Sequence, residues 1–141
     1  MTAGRVLAFD PGSTRVGVAV SDPLRIVASP LEVIDRSHLE ARLPGLVEEY
    51  QPAEIVVGLP VGLSGKEGRA AQEARQLGAR IGEITGLPIH YVDERFTTAT
   101  AEAALLEGGV KRRDRRRKVD RVAAAVILRQ FLERSSGSER E

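Results

Sequence analysis

A short apolar run from Val6 to Phe9 ends on Asp10, breaks at Pro11-Gly12, and resumes as alternating apolar positions from Val16 to Val20. This pattern predicts two strands paired across the Gly12-Ser13-Thr14 turn. A third strand is expected over Ile26 to Ile34, at a sheet edge because Pro30 cannot donate to an interior ladder. Ser37 is a candidate helix cap, and Leu39, Leu43, Leu46, Val47 and Tyr50 follow at helical spacing, with Pro44 signalling a kink or a late start. "EIVVGLP" is a continuous apolar run, as expected of a parallel strand covered on both faces. The glycine-rich "GLPVGLSGKEG" leads into an alanine-rich helix from about Arg69 to Ile84, ended near Gly86-Leu87-Pro88. "PIHYV" predicts a further buried strand closed by Asp93-Glu94-Arg95. After it, Thr97 or Thr98 can cap a helix reaching Glu107 and stopping at Gly108-Gly109. A basic loop and a last helix from about Lys118 to Arg134 complete the order.

Three strands in meander followed by alternating strands and helices imply an α/β fold: one mixed five-stranded sheet, two of its strands parallel, with helices on its faces. At 141 residues the chain makes one domain, expected over 1–134, with the polar 135–141 as a disordered tail. In open sheets of this kind, sites lie beyond the carboxyl ends of the parallel strands.

Three acids fall where such a site would be. Asp10 follows the first strand, although Asp-Pro-Gly-Ser is also ordinary turn chemistry. Asp93 and Glu94 follow the last strand, and a solvated strand exit would explain them equally. If both strands are central and parallel, their ends meet. Asp120 heads the stripe Ala123, Ala124, Ile127, Leu128 and Phe131 that must face the sheet, although a first-turn acid also suits a helix dipole. Were Asp10, Glu94 and Asp120 to converge, their repulsion would need an answer. Two divalent cations supply one, and such a pair can hydrolyse a phosphodiester.

Composition narrows the ion. There is no cysteine, and two histidines, His38 and His90, argue against zinc and read as structural. An all-oxygen site suits Mg²⁺ or Mn²⁺. No apolar run could span a bilayer and no leader precedes the first strand, so a cytoplasmic protein without membrane contact is expected.

Net charge is only +1, but "KRRDRRRK" from Lys111 to Lys118 carries +6 and the remainder about −5. That asymmetry points to a polyanion. Lys111, Arg112, Arg113, Arg115, Arg116, Arg117 and Lys118 are expected to clamp a nucleic-acid backbone. They would not read bases, since three Phe, two Tyr and no Trp leave little for stacking. Lys66 and Arg69 in the glycine-rich segment, with Arg15 and Arg95, are further phosphate candidates.

"AFDPGSTRVGVAVSD", "VVGLPVGLSGKEG", "VDERFTTATAEA" and "VDRVAAAVILRQFL" resemble, in order and spacing, four blocks of the YqgF/RuvX family of RNase H-like nucleases. The resemblance covers roughly Arg5 to Leu132. It implies an RNase H-like fold and a two-metal phosphodiesterase, with the family's acids falling on Asp10, Glu94 and Asp120, and Asp93 as the uncertain neighbour. Strand alternation sets Asp93 and Glu94 on opposite faces, and the family pattern favours Glu94. The family is linked both to Holliday junction resolution and to 5′ maturation of precursor 16S rRNA. Branched DNA, which a two-fold homodimer would match, and precursor rRNA are therefore the expected substrates. A single-lobed 141-residue chain is short for an actin-like or sugar-kinase ATPase, and a non-catalytic ribosome-assembly module is the remaining alternative.

Overall fold

The computed structural model describes residues 4–60, 68–93 and 112–139, with side chains of the last helix described over 121–134. The elements are β1 (Val6–Pro11), β2 (Arg15–Ser21), β3 (Ala28–Asp35), a 3₁₀ turn (Arg36–His38), α1 (Leu39–Tyr50), β4 (Glu54–Leu59), α2 (Arg69–Thr85), β5 (Ile89–Asp93) and α3 (Arg112–Glu139). The expected helix ending at Glu107 lies outside the described residues.

The five strands form one mixed sheet in the order β3-β2-β1-β4-β5. β1, β2 and β3 make the antiparallel meander, and β4 pairs parallel to both β1 and β5. Pro30 sits on the edge strand β3, as its missing donor requires. β5, expected to be a buried strand, is instead the opposite edge, and among its five residues only Val92 is fully buried. β4 therefore separates β1 from β5.

Alternation sorts the core onto two faces. Leu7, Phe9, Val16, Val18, Ile55 and Val57 pack with Leu39, Leu43 and Leu46 of α1 and Ile81 of α2. Val6, Ala8, Ala19, Val56 and Val92 pack with Ala124, Ile127, Leu128 and Leu132 of α3. With helices on both sides, β4 is buried throughout except at Glu54, which explains its unbroken apolar run.

Helix ends follow local chemistry in part. α2 stops at Gly86, whose φ of 71° and N–H to the Gly82 carbonyl (2.8 Å) make a left-handed cap. Ser37 does not cap α1; it lies within the 3₁₀ turn, His38 takes the cap position, and the helix carries Pro44 within it. The basic run from Arg112 to Lys118, expected to be a loop, is helical backbone continuous with the core stretch of α3, which runs on to Glu139. Arginine and lysine are good helix formers, so charge alone gave no reason to break the helix there.

Candidate functional site

Asp10 stands at the carboxyl end of the central strand. The parallel pairing of β1 with β4 ends at Phe9 and Val57, one residue before it. Across the antiparallel ladder it faces Gly17. Val6 and Ala8 belong to the α3 side, so alternation puts Asp10 on that side too, half-buried. Ala123 and Ala124 of α3 are at most 1% exposed, and Asp120 precedes them by one turn of the same helix.

The turn after Asp10 is held by unusual means. Gly12 N–H donates to the Arg15 carbonyl (2.8 Å), closing a two-residue loop of Ser13 and Thr14. Two-residue hairpin loops that suit strand twist need positive φ at a central residue, and neither Ser13 nor Thr14 has it. Arg36, at the end of the neighbouring ladder, supplies the missing support. Its backbone N–H donates to the Thr14 carbonyl (2.9 Å), and its Nη1 donates to the Gly12 carbonyl (3.0 Å). A Cβ on Gly12 would lie 2.7 Å from the Arg15 carbonyl oxygen, so glycine is required here by space. The sequence gives no hint of Arg36, which sits 24 residues from Gly12 and meets it only through the pairing of β2 with β3.

Asp93 closes β5 beside Leu59. Ile89 and Tyr91 pack toward α1 and α2, whereas Val92 packs toward α3 and the His90 ring lies 5.2 Å from that of Phe131. By the same alternation Asp93 falls on the α1/α2 side, opposite to Asp10. Glu94, Lys66, Arg95 and Lys111 lie outside the described residues, and of the basic run and Asp120 only the helical backbone is described. Among the described residues no group of three or more histidines and carboxylates could hold a metal.

Two of the expected cations are placed. Arg15 opens β2 opposite Asp35 and borders a cavity of about 290 Å³ shared with Glu32, His38 and Arg42, whose Arg42–Glu32 pair is 2.9 Å apart. Arg69 heads α2, 92% exposed and 3.3 Å from Glu73. Both histidines lie beside carboxylates: His90 Nε2 is 2.7 Å from Glu54 Oε1, and His38 lies 3.8 Å from Asp35 on the surface. No helix among the described residues is long and apolar enough to cross a membrane.

Known proteins share this architecture. T. thermophilus RuvC in complex with Holliday junction substrate superposes with a TM-score of 0.61 at 19% identity, covering 94% of this chain and 96% of that one. The fold is thus RNase H-like. A protein of Dictyoglomus thermophilum named "Putative pre-16S rRNA nuclease" is 45% identical over 94% of this chain and 97% of its own. One of Lactococcus lactis subsp. cremoris with the same name is 42% identical over 92% and 94%. The family model described as RuvX, Holliday junction resolvase, matches residues 4–134, and the chain belongs to that family.

Proposed function

We propose that the protein is an endonuclease that hydrolyses phosphodiester bonds in structured nucleic acid, using two Mg²⁺ or Mn²⁺ ions held by Asp10, Glu94 and Asp120. One observation carries the reading: Asp10 leaves the central strand on the sheet face covered by the helix that contains Asp120. Continued one step past Asp93, the alternation of β5 would set Glu94 on that face as well, which supports Glu94 over Asp93 as the third ligand.

The donor chemistry fits. The three residues offer only carboxylate oxygens, and a chain without cysteine has no thiolate to draw a softer metal. Ions bound there would polarise the phosphodiester and lower the pKa of an attacking water. The protein's own residues hold and orient. Asp10, fixed on the central strand of the sheet, sets one ligand direction. Arg15, Lys66, Arg69 and Arg95 are the candidates to hold phosphates of the substrate. The basic run from Lys111 to Lys118 grips the backbone without reading bases.

The names carried by the family and by its 41–45% identical relatives support a Holliday junction, precursor 16S rRNA, or both as substrate. A junction has paired scissile strands, and a two-fold homodimer would match it. The test is cleavage of a synthetic four-way junction and a precursor rRNA 5′ fragment, side by side, with Mn²⁺ or Mg²⁺. Wild type should cut at least one, and Asp10→Asn and Asp120→Asn should lose at least a hundredfold while still binding. Binding of both substrates with cleavage of neither would favour a non-catalytic assembly module instead.

A further inference from the structure

The β1–β2 turn lies two residues beyond Asp10 and has a backbone that flanking strands do not themselves favour. Ser13 and Thr14 lack the positive φ that twist-matched two-residue loops use. Such a turn would splay its strands unless something outside the hairpin restrained it. Arg36 makes the two restraining contacts, one from its amide to the Thr14 carbonyl and one from its guanidinium to the Gly12 carbonyl. With Gly12 N–H bonded to Arg15, both polar backbone groups of Gly12 are then fixed. The amide contact survives any side-chain change at position 36 except to proline, whereas the guanidinium contact belongs to the side chain alone.

We infer that Arg36 is a positioning residue: its guanidinium latches the turn after β1, and through Pro11 it fixes the direction in which Asp10 presents its carboxylate. The inference rests on the nuclease reading. Arg36 does not touch substrate in this role. It acts through Gly12, because Pro11, with its fixed φ, is the single residue that links Gly12 to Asp10. Misplacement of a reacting group by about 1 Å can cost on the order of a hundredfold in rate.

The experiment compares wild type with Arg36→Ala and Arg36→Lys in three measurements. These are amide hydrogen exchange at Gly12 and Ala8, kcat and KM on whichever substrate wild type cuts, and thermal unfolding. In Arg36→Ala, Gly12 should exchange at least about tenfold faster while Ala8, in the core of β1, stays within about twofold. The kcat should fall about ten- to a hundredfold with KM within about twofold. Arg36→Lys, whose ammonium can still donate to the Gly12 carbonyl, should recover much of both effects. Unchanged Gly12 exchange overturns the inference. So does a raised KM at constant kcat, which would make Arg36 a direct phosphate contact. Acceleration of Ala8 together with Gly12, with a large fall in Tm, also overturns it, as general destabilisation. A wild type that cuts nothing while Gly12 still loosens in Arg36→Ala overturns the nuclease reading and leaves the latch standing. An active wild type with an equally active Arg36→Ala overturns the positioning role alone.

Discussion

Arg25 and Glu54 meet at 2.6 Å at the start of β4, the end of the sheet opposite Asp10. Arg25 has a φ of 60°, and its Nε donates to the Gly4 carbonyl (2.8 Å). His90 approaches the same carboxylate from β5. Burial pushes the Glu54 carboxyl up, but hydrogen bonds from Arg25 and His90 outweigh it and hold the group below its ordinary value of 4.5. A depressed carboxylate stabilises the fold above the unfolded pKa, and that contribution is lost as pH falls through the folded one. Glu54→Gln should therefore cost about 1–2 kcal/mol at pH 7. The loss should shrink as pH drops below about 4.5, toward no difference in strong acid. Unfolding of both proteins across pH 2–8 checks this; a constant gap would disprove the linkage.

Gly78 lets α2 lie directly on β5. A Cβ there would sit 2.5 Å from the Tyr91 hydroxyl and 2.9 Å from its ring. That ring is pinned, since its hydroxyl donates to the Arg75 carbonyl (3.2 Å) and the Arg75 guanidinium lies 5.0 Å above it. Alanine gains about 1 kcal/mol of helix propensity, but overpacking of about 1–3 kcal/mol should exceed it. Gly78→Ala should destabilise wild type and become neutral or stabilising in a Tyr91→Leu background. A stabilising effect in wild type would show that the ring moves aside freely.

Ser21 is the buried polar residue of the described core, 2% exposed. Its Oγ accepts from the Val6 N–H (2.9 Å) and donates to the Asp22 carbonyl (2.9 Å). Ser21→Ala would orphan a buried donor at the start of β1, at a cost of about 1–3 kcal/mol. Denaturant unfolding should show a lower midpoint with an unchanged m-value.

The basic run can be neutralised without breaking its element, because alanine is the best helix former. Replacing Arg112, Arg113, Arg115 and Arg116 with alanine should weaken nucleic-acid binding and flatten its salt dependence. The log–log slope should drop by about 0.7–0.9 for each phosphate that the protein no longer neutralises. Circular dichroism should stay that of wild type. An unchanged slope would mean that the run faces no phosphate.

Much of the sheet is legible in the sequence because strand period and turn chemistry are local. The Val6–Phe9 and Val16–Val20 runs, the proline on the edge strand and the glycine stop of α2 all follow from neighbours in the chain. Strand order is not local. Nothing near "PIHYV" shows that β4 inserts beside β1 and leaves β5 at the rim with one buried residue. The basic run reads as a loop by its charge, yet the helix propensity of its arginines and lysines decides its backbone. Of the candidate site, the position of Asp10 near a strand exit is legible in the sequence. Arg36 is not, since a contact across 24 residues depends on the register of an entire ladder.

The uninterrupted course of α3 has a mechanical consequence. It is one rod of 28 residues, about 42 Å long, bolted to the interior at Ile127 and Leu128. Cations strung on a loop could mould themselves to any polyanion. On the proposed reading, a strand gripped by this run would have to bend to a backbone of fixed rise.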